Sequence, residues 1–379
     1  METRNADPIR FANPNFKPEW IAQMLDSMEK ALKSGWLTTG ENVRSVERFF
    51  SDYLGRKDVI ATNSCTAALH IALQLVGVKK RTEVIVPSET FAATANSVLY
   101  NQGTPVFAEI DPRTMNIDPS DVERRITKRT AAIVVVHVAG LPCDMDAITR
   151  ISQEHDIPIV EDCAHAHGAK YHGQPCGSFG EYACFSFYPT KVIGGAEGGL
   201  VVAPDSDQGA KARRLVNQGR GGFGPEEITE IGYNYRMNEL QACVLLPQLP
   251  EIDRIVDYRN MLAREYADTL SGLRDVELLD VPAGVRHSYY SFMVKVPMHL
   301  RNGVIDELKK KGVETSILYH PVHLQPAYRR LFGYSTGHLP LTEDSCARII
   351  SLPMHTGLSP QHVRQVASRL AEILNEMQR

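Results

Sequence analysis

Between residues 58 and about 205, short apolar runs rich in β-branched residues alternate with stretches of helical spacing. Val59-Ile-Ala-Thr62 precedes Thr66 to Val76, Glu83-Val-Ile-Val86 precedes Ala92 to Tyr100, and Ala131 to Val138 precedes Asp144 to His155. Further strand-like runs lie at Pro105 to Ile110 and Ile157 to Glu161. This alternation predicts βαβ units and an α/β fold: a mostly parallel sheet whose faces are covered by helices. In such a sheet ligands gather beyond the carboxyl ends of the strands, where loops lead into helices. The chemically notable residues fall there.

The flanks extend this plan. Trp20, Ile21, Met24, Leu25, Met28 and Leu32 recur at helical spacing and stop at Gly35; Val43, Val46, Phe49, Phe50 and Leu54 repeat the pattern and stop at Gly55. Between them, Ser34-Gly-Trp-Leu-Thr-Thr-Gly40 either closes Trp36, Thr38 and Thr39 over a ligand or caps a helix, the cap being the simpler reading. After residue 205 the spacing predicts a helix to Leu215, a flexible loop at Gly219 to Gly224, and a long helix from Asn238 to Arg259. A strand near Tyr289 to Val296 and helices at Val304 to Lys311 and Pro360 to Met377 follow. The expected division is a large domain over 1–250, including the N-terminal helices at 17–55, and a smaller α+β domain over 251–379.

Charge and cysteine usage exclude several classes. A net charge of −4 gives no global field for nucleic acid or an anionic membrane. No stretch approaches the ~20 apolar residues of a membrane span, and Met1 to Phe16 lacks the apolar run of a secretory signal. The seven cysteines are scattered, without a CxxC pair, which reads as reduced thiols in a cytoplasmic protein and not as a disulfide framework or zinc site. His165, His167 and His172 lack the further ligands a metal centre needs, so no metal is expected.

Four sites at strand ends carry chemistry. Asn63-Ser-Cys-Thr66 opens a helix, where backbone amides and the hydroxyls of Ser64 and Thr66 either bind an anion or cap the helix. Phe91, in Pro87-Ser-Glu-Thr-Phe91, offers a flat surface to an aromatic ring or packs in the core. Asp162, in Glu161-Asp-Cys-Ala-His-Ala-His-Gly168, ends a buried strand, where a carboxylate is costly unless it meets a cation such as a protonated heterocyclic nitrogen; a helix N-cap is the alternative. His165 follows three residues on and either bonds a phenolate or packs. Finally, Lys191 stands in Phe185-Ser-Phe-Tyr-Pro-Thr-Lys-Val-Ile-Gly-Gly-Ala-Glu-Gly-Gly199, with Ser186 upstream. An amine withdrawn from water is a nucleophile able to form a Schiff base, because burial penalises the ammonium form. Together these are the parts that hold pyridoxal 5'-phosphate (PLP), with an acid keeping the pyridine nitrogen protonated so that the ring draws in charge.

The chain resembles the DegT/DnrJ/EryC1/StrS, or sugar aminotransferase, family. The resemblance runs through Ser34 to Gly40, Ser64-Cys-Thr-Ala-Ala-Leu-His70, Val86 to Asn96, His137-Val-Ala-Gly-Leu-Pro-Cys-Asp-Met-Asp146, Glu161-Asp162, Phe185 to Gly199, Gly232-Tyr-Asn-Tyr-Arg-Met-Asn-Glu-Leu-Gln241 and Tyr319-His-Pro-Val-His-Leu-Gln325. It implies the PLP transferase fold of aspartate aminotransferase type, with a mostly parallel seven-stranded sheet, and a homodimer with shared sites. By position it implies Lys191 as the lysine bound to PLP, Asp162 on the pyridine nitrogen, and Phe91 stacked on the ring. Ser64, Cys65, Thr66 and Ser186 would surround the phosphate, which Asn234 reaches from the partner subunit. His165 departs from the common glutamine but supplies a similar donor to the ring oxygen. Lys191 also separates this chain from dehydratase relatives, which have histidine there.

The implied reaction alternates PLP with pyridoxamine phosphate, taking an amino group from glutamate to a keto-sugar, most simply a nucleotide-linked 3- or 4-keto-deoxyhexose. A carbocyclic ketone as acceptor, or a PLP-binding regulator, is the alternative. Candidate substrate contacts are Trp36, Thr38, Arg236, Tyr319, His320 and His323. A turn built on Pro321 or surface ion pairs of Arg220 and Arg236 would explain some of these equally well.

Overall fold

A computed structural model describes residues 8–221 and 227–377 of the chain, so residues 222–224 of the expected loop lie outside the described part. Helices α1 (Pro18–Ser34) and α2 (Glu41–Leu54) lead into β1 (Asp58–Thr62), α3 (Cys65–Leu75), β2 (Glu83–Pro87), α4 (Ala92–Tyr100), β3 (Thr104–Ala108), α5 (Pro119–Arg125), β4 (Thr130–Val136), α6 (Met145–His155) and β5 (Ile159–Asp162). The short pair β6 (Lys170–Tyr171) and β7 (Gln174–Pro175) precedes β8 (Tyr182–Ser186), β9 (Gly199–Ala203), α7 (Ser206–Val216) and α8 (Glu239–Leu245).

The seven long strands form one sheet in the order β1-β9-β8-β5-β4-β2-β3. β3, β2, β4, β5 and β8 run parallel, and only β9 opposes its neighbours on both sides. Both faces of the sheet are buried, as continuous apolar strands require. Successive side chains point to opposite faces: Ala183 and Phe185 pack into the core under α1 and α2, whereas Tyr182 and Cys184 join the core under α3.

The C-terminal part comprises α9 (Ile252–Leu270), β10 (Glu277–Leu278), β11 (Val285–Arg286), β12 (Phe292–Lys295), α10 (Met298–Lys310), α11 (Pro326–Phe332), α12 (Pro340–Arg348), β13 (Ile349–Leu352) and α13 (Pro360–Met377). Its sheet β10-β12-β13 packs with α9, α10 and α13 around a separate core that includes Tyr266, Phe292, Val294 and Leu370. The helix expected from Asn238 to Arg259 is broken into α8 and α9. Pro247 and Pro250 lie in the break, where a 3₁₀ turn spans Leu249–Glu251, and neither can supply a helical backbone N–H.

Two contacts tie distant parts of the chain together. The segment before α1 does not stay with the large sheet: Ile9 N donates to Gly312 O at 2.9 Å, Glu314 N to Ile9 O at 3.0 Å, and Met354 N to Phe11 O at 3.3 Å. The turn before α2 is clamped by buried Glu239 at the start of α8, whose carboxylate accepts from Gly40 N (2.7 Å), Asn42 N (3.0 Å) and Val43 N (3.1 Å). Those amides are orphan donors of a helix start, so α2 is capped at Gly40 by an acceptor supplied from afar. No helix among the described residues is long and apolar enough to cross a membrane.

Candidate active site

A cavity of about 760 Å³ opens beyond the carboxyl ends of β5 and β8, a size suited to a cofactor with a substrate. One end is the first turn of α3. Ser64 is the N-cap, its Oγ accepting from Ala67 N at 3.2 Å, so its own hydroxyl proton stays available to a ligand. The turn reaches the sheet because β9 begins with Gly199: a Cβ there would stand 2.5 Å from Cys65 N. Ser64, Cys65 and Thr66 line the cavity with Ser186, the last residue of β8. A helix start with hydroxyls beside it suits a phosphate.

Asp162, the last residue of β5, is 4% exposed and lines the same cavity. Its Oδ2 accepts from Thr94 Oγ1 at 2.8 Å and its Oδ1 from Ala164 N at 3.1 Å. Burial pushes its carboxyl above the ordinary range, against the pull of these donors and of Lys191. Both hydrogen-bond donors are neutral. A buried carboxylate held this way is completed by a cationic ring nitrogen, which is the fit that PLP offers.

Lys191 is half-buried in the turn after β8, its backbone N donating to Tyr188 O at 2.9 Å. Its Nζ lies 4.5 Å from the centre of the Tyr290 ring, and the Tyr290 hydroxyl is 3.2 Å from Thr190 Oγ1. The ring therefore backs the amine on one side while the cavity opens on the other. Phe91 is 61% exposed at the cavity wall, 5.8 Å from the Tyr319 ring between centroids, so its face is free to meet a planar ligand.

His165 is buried, stacked on Tyr290 with centroids 4.2 Å apart and planes inclined by 11°. Burial, and secondarily Lys191 and His167, hold its pKa well below the usual imidazole range, so it is neutral. Its Nε2 lies 3.0 Å from the Tyr319 hydroxyl, whereas Nδ1 is buried with no hydrogen-bond partner. A carbonyl-like ligand oxygen is the partner that such a nitrogen lacks.

Glu89, fully buried, accepts the Tyr319 N–H through both carboxylate oxygens at 3.0 Å. Burial raises its carboxyl from 4.5 to about 8, the Tyr319 amide pulling the other way. An acid that holds its proton more tightly when folded stabilises the fold fully below its unfolded value, and loses that contribution as pH rises through the folded value. The loss here runs from about 4.5 through about 8. Glu89→Gln keeps an acceptor for Tyr319 and cannot ionise, so it is expected to raise Tm at about pH 9 by several degrees while changing it little at about pH 5. Parallel Tm profiles for the two proteins would rule Glu89 out as the titrating group.

The other anticipated residues lie outside this cavity. Trp36 is 53% exposed, and Thr38 forms a backbone bridge with Asn238. Asn234 is exposed, its carbonyl accepting from Asn63 Nδ2 at 3.3 Å, and Arg236 Nη1 donates to Asn217 Oδ1 at 3.0 Å. His320 is exposed. His323 is fully buried between Ser88 Oγ (2.7 Å) and Glu343 Oε1 (3.1 Å), where it fastens its loop to the end of β2 and does not face the cavity. Conversely, Phe11, Thr90, Tyr188 and Tyr290 line the cavity without having been singled out.

The histidines considered for a metal are dispersed: His167 packs against Phe185 and Phe187, and exposed His172 stands 3.8 Å from Asp146. His137, Glu161 and Cys163 do bring ligand atoms within 4.8 Å of one another. There the Glu161 carboxylate is already taken by the amides of Gly177, Phe179 and Gly180 and by His137 Nε2.

The chain is similar to known proteins over nearly its whole length. The sequence model of the DegT/DnrJ/EryC1/StrS aminotransferase family matches residues 18–371. GDP-perosamine synthase of Caulobacter vibrioides is 36% identical over 92% of this chain and 95% of its own. UDP-N-acetyl-3-dehydro-alpha-D-glucosamine 3-aminotransferase of Acidithiobacillus ferrooxidans is 35% identical over 99% of this chain and 100% of its own. The structure of Spr1654 from Streptococcus pneumoniae in its PLP form superposes with a TM-score of 0.91 at 28% identity, covering 97% of this chain and 99% of that one.

Proposed function

This chain belongs to the DegT/DnrJ/EryC1/StrS aminotransferase family, and from that premise we propose that it transfers an amino group from glutamate to a nucleotide-linked keto-sugar. It is a PLP-dependent aminotransferase with an α/β fold of the PLP transferase type. The observation that carries the assignment of roles is the meeting of Lys191 and Asp162, from the ends of neighbouring strands, at one cavity beside the first turn of α3. The names of two relatives, one a UDP-sugar aminotransferase and one a GDP-sugar synthase, support a nucleotide-linked acceptor.

When bound, PLP supplies a carrier for the amino group and a ring that takes up the negative charge developing at the reacting carbon. Asp162 would hold the proton on the ring nitrogen. Ser186, Thr66 and the amides opening α3 would hold the phosphate, and Phe91 would cover the ring. Lys191 removes a proton from the donor's carbon and returns one during transfer, so one amine serves alternately as base and acid. His165 would face the ring oxygen with Nδ1, the nitrogen that has no protein partner. Phe11, Tyr188 and Ser316 also line the cavity and would border the space left for the acceptor sugar. Asn234, exposed and outside its own cavity, is placed by this reading at a second subunit's phosphate, in a homodimer.

The test is spectroscopic. The near-visible band of bound cofactor is expected to bleach on adding glutamate and to return on adding a nucleotide-linked keto-sugar, with one amino sugar formed per cycle. A band indifferent to every amino donor would sink the proposed reaction and favour a PLP-binding sensor.

A further inference from the structure

We propose that Tyr319 is a positioning residue that sets the tautomer of His165, turning Nδ1–H and not a bare nitrogen toward the cofactor's ring oxygen. The inference rests on the placement of PLP given above, and it gives Tyr319 a role other than contacting the acceptor.

The His165 ring is held in place before any ligand arrives. It stacks on Tyr290, and its backbone carbonyl accepts from Ser288 Oγ at 2.7 Å. Gly140 makes room for that contact: at a φ of +90° it leaves open a space where a Cβ would stand 1.9 Å from Ser288 Oγ and 2.7 Å from the His165 carbonyl. The ring is thus fixed in orientation, and being neutral it has one N–H to place.

Two arrangements are open to it. Either Tyr319 donates its O–H to Nε2, so that the proton sits on Nδ1, or Nε2–H donates to the Tyr319 oxygen and Nδ1 presents a lone pair. Hydrogen-bond accounting chooses between them. The Tyr319 hydroxyl keeps its proton, because burial and the neighbouring Tyr290 and Glu89 push its pKa well above the usual range. Among the described residues its one hydrogen-bonding contact is His165 Nε2 at 3.0 Å. Donation to Nε2 uses that O–H and leaves one group, Nδ1–H, for the ligand; the reverse arrangement leaves both the half-buried O–H and the buried Nδ1 lone pair without a protein partner. With Nε2 as acceptor, Nδ1 carries the proton, and Nδ1 is the buried atom without a partner. An electron-rich ring oxygen attracts an N–H there and repels a lone pair.

Tyr319 can enforce this because both of its ends are held. Its N–H is bound by the two oxygens of Glu89 on the large-sheet side, and its phenol reaches back to His165. A glutamine in place of His165 has a donor and an acceptor at every orientation of its amide and needs no such control. The dependence on Tyr319 therefore belongs to the histidine.

Histidine-¹⁵N NMR of the full-length cofactor-free protein tests this, with the His165 signals identified by their loss in His165→Gln. The expected result is a protonated Nδ1 and a bare Nε2, changing to the other tautomer or a mixture in Tyr319→Phe. PLP affinity supplies a second readout: Tyr319→Phe is expected to weaken binding by about 10-fold in the wild-type background, as the loss of one buried hydrogen bond does, but by no more than about 2-fold in a His165→Gln background. A protonated Nε2 in the wild-type protein, or equal weakening in both backgrounds, overturns the proposal. Neither readout needs a sugar or turnover, so failure here is distinguishable from failure of the proposed reaction.

Discussion

Replacing Lys191 by alanine is expected to reduce transamination by about 10⁴-fold or more, the scale of losing a residue that serves as both acid and base. No other lysine lines the cavity among the described residues, so no neighbouring amine takes over. The loss should not be a loss of cofactor binding, because Asp162, Ser186 and the first turn of α3 remain. Lys191→Arg sharpens the experiment by keeping a cation over the Tyr290 ring while providing a group too basic to exchange protons near neutrality. It is expected to be as inactive as alanine. Amine product measured alongside cofactor retained after gel filtration separates the two effects, and steady turnover in either variant would contradict the role given to Lys191.

The second large effect concerns Asp162 and has two opposite signs. Asp162→Asn is expected to lower kcat/KM by about 10²- to 10³-fold, the range found when a single preorganised electrostatic partner is removed. The cofactor-free protein should gain stability. Burial raises the Asp162 carboxyl above 3.8, so its contribution is complete below that value and is lost as pH rises through the folded value. Above the folded value the wild-type chain carries a buried charge without the ring cation, whereas asparagine keeps an acceptor for Thr94 or Ala164 and carries no charge. Calorimetry at neutral pH should therefore find a higher Tm for cofactor-free Asp162→Asn. A lower Tm together with retained activity would show that the carboxylate serves the fold and not the ring nitrogen.

The sequence carried the layered sheet because burial on both faces leaves runs such as Glu83 to Val86 that only a covered strand explains. It did not carry the direction of β9. Gly199 to Ala203 is buried throughout, and a strand covered on both sides reads the same whichever way it runs. The break between α8 and α9 was legible in Pro247 and Pro250 but was overridden by the apolar spacing around them. Lys191, Asp162 and His165 were readable as a set because each follows a strand, and strand ends meet at one edge of a parallel sheet.

Residues brought in from elsewhere had no such signal. Phe11 reaches the cavity because its segment pairs with residues 312–314, and periodicity does not record pairing at that separation. Tyr290 looks like a core aromatic and serves as one while also backing Lys191. His323 shows the converse error: its motif suggested a ligand contact, yet Ser88 and Glu343 occupy both ring nitrogens. Glu89 offered one clue, an acidic residue close to the end of an apolar strand, the same clue that singled out Asp162.

The pairing of Ile9 with residues 312–314 has a consequence for biosynthesis. The segment bearing Phe11 leaves the ribosome before its docking partner and Tyr319, which lie some three hundred residues further on. During translation the strands of the large sheet precede residues 312–319, so the pocket lacks two of its walls until that stretch has emerged.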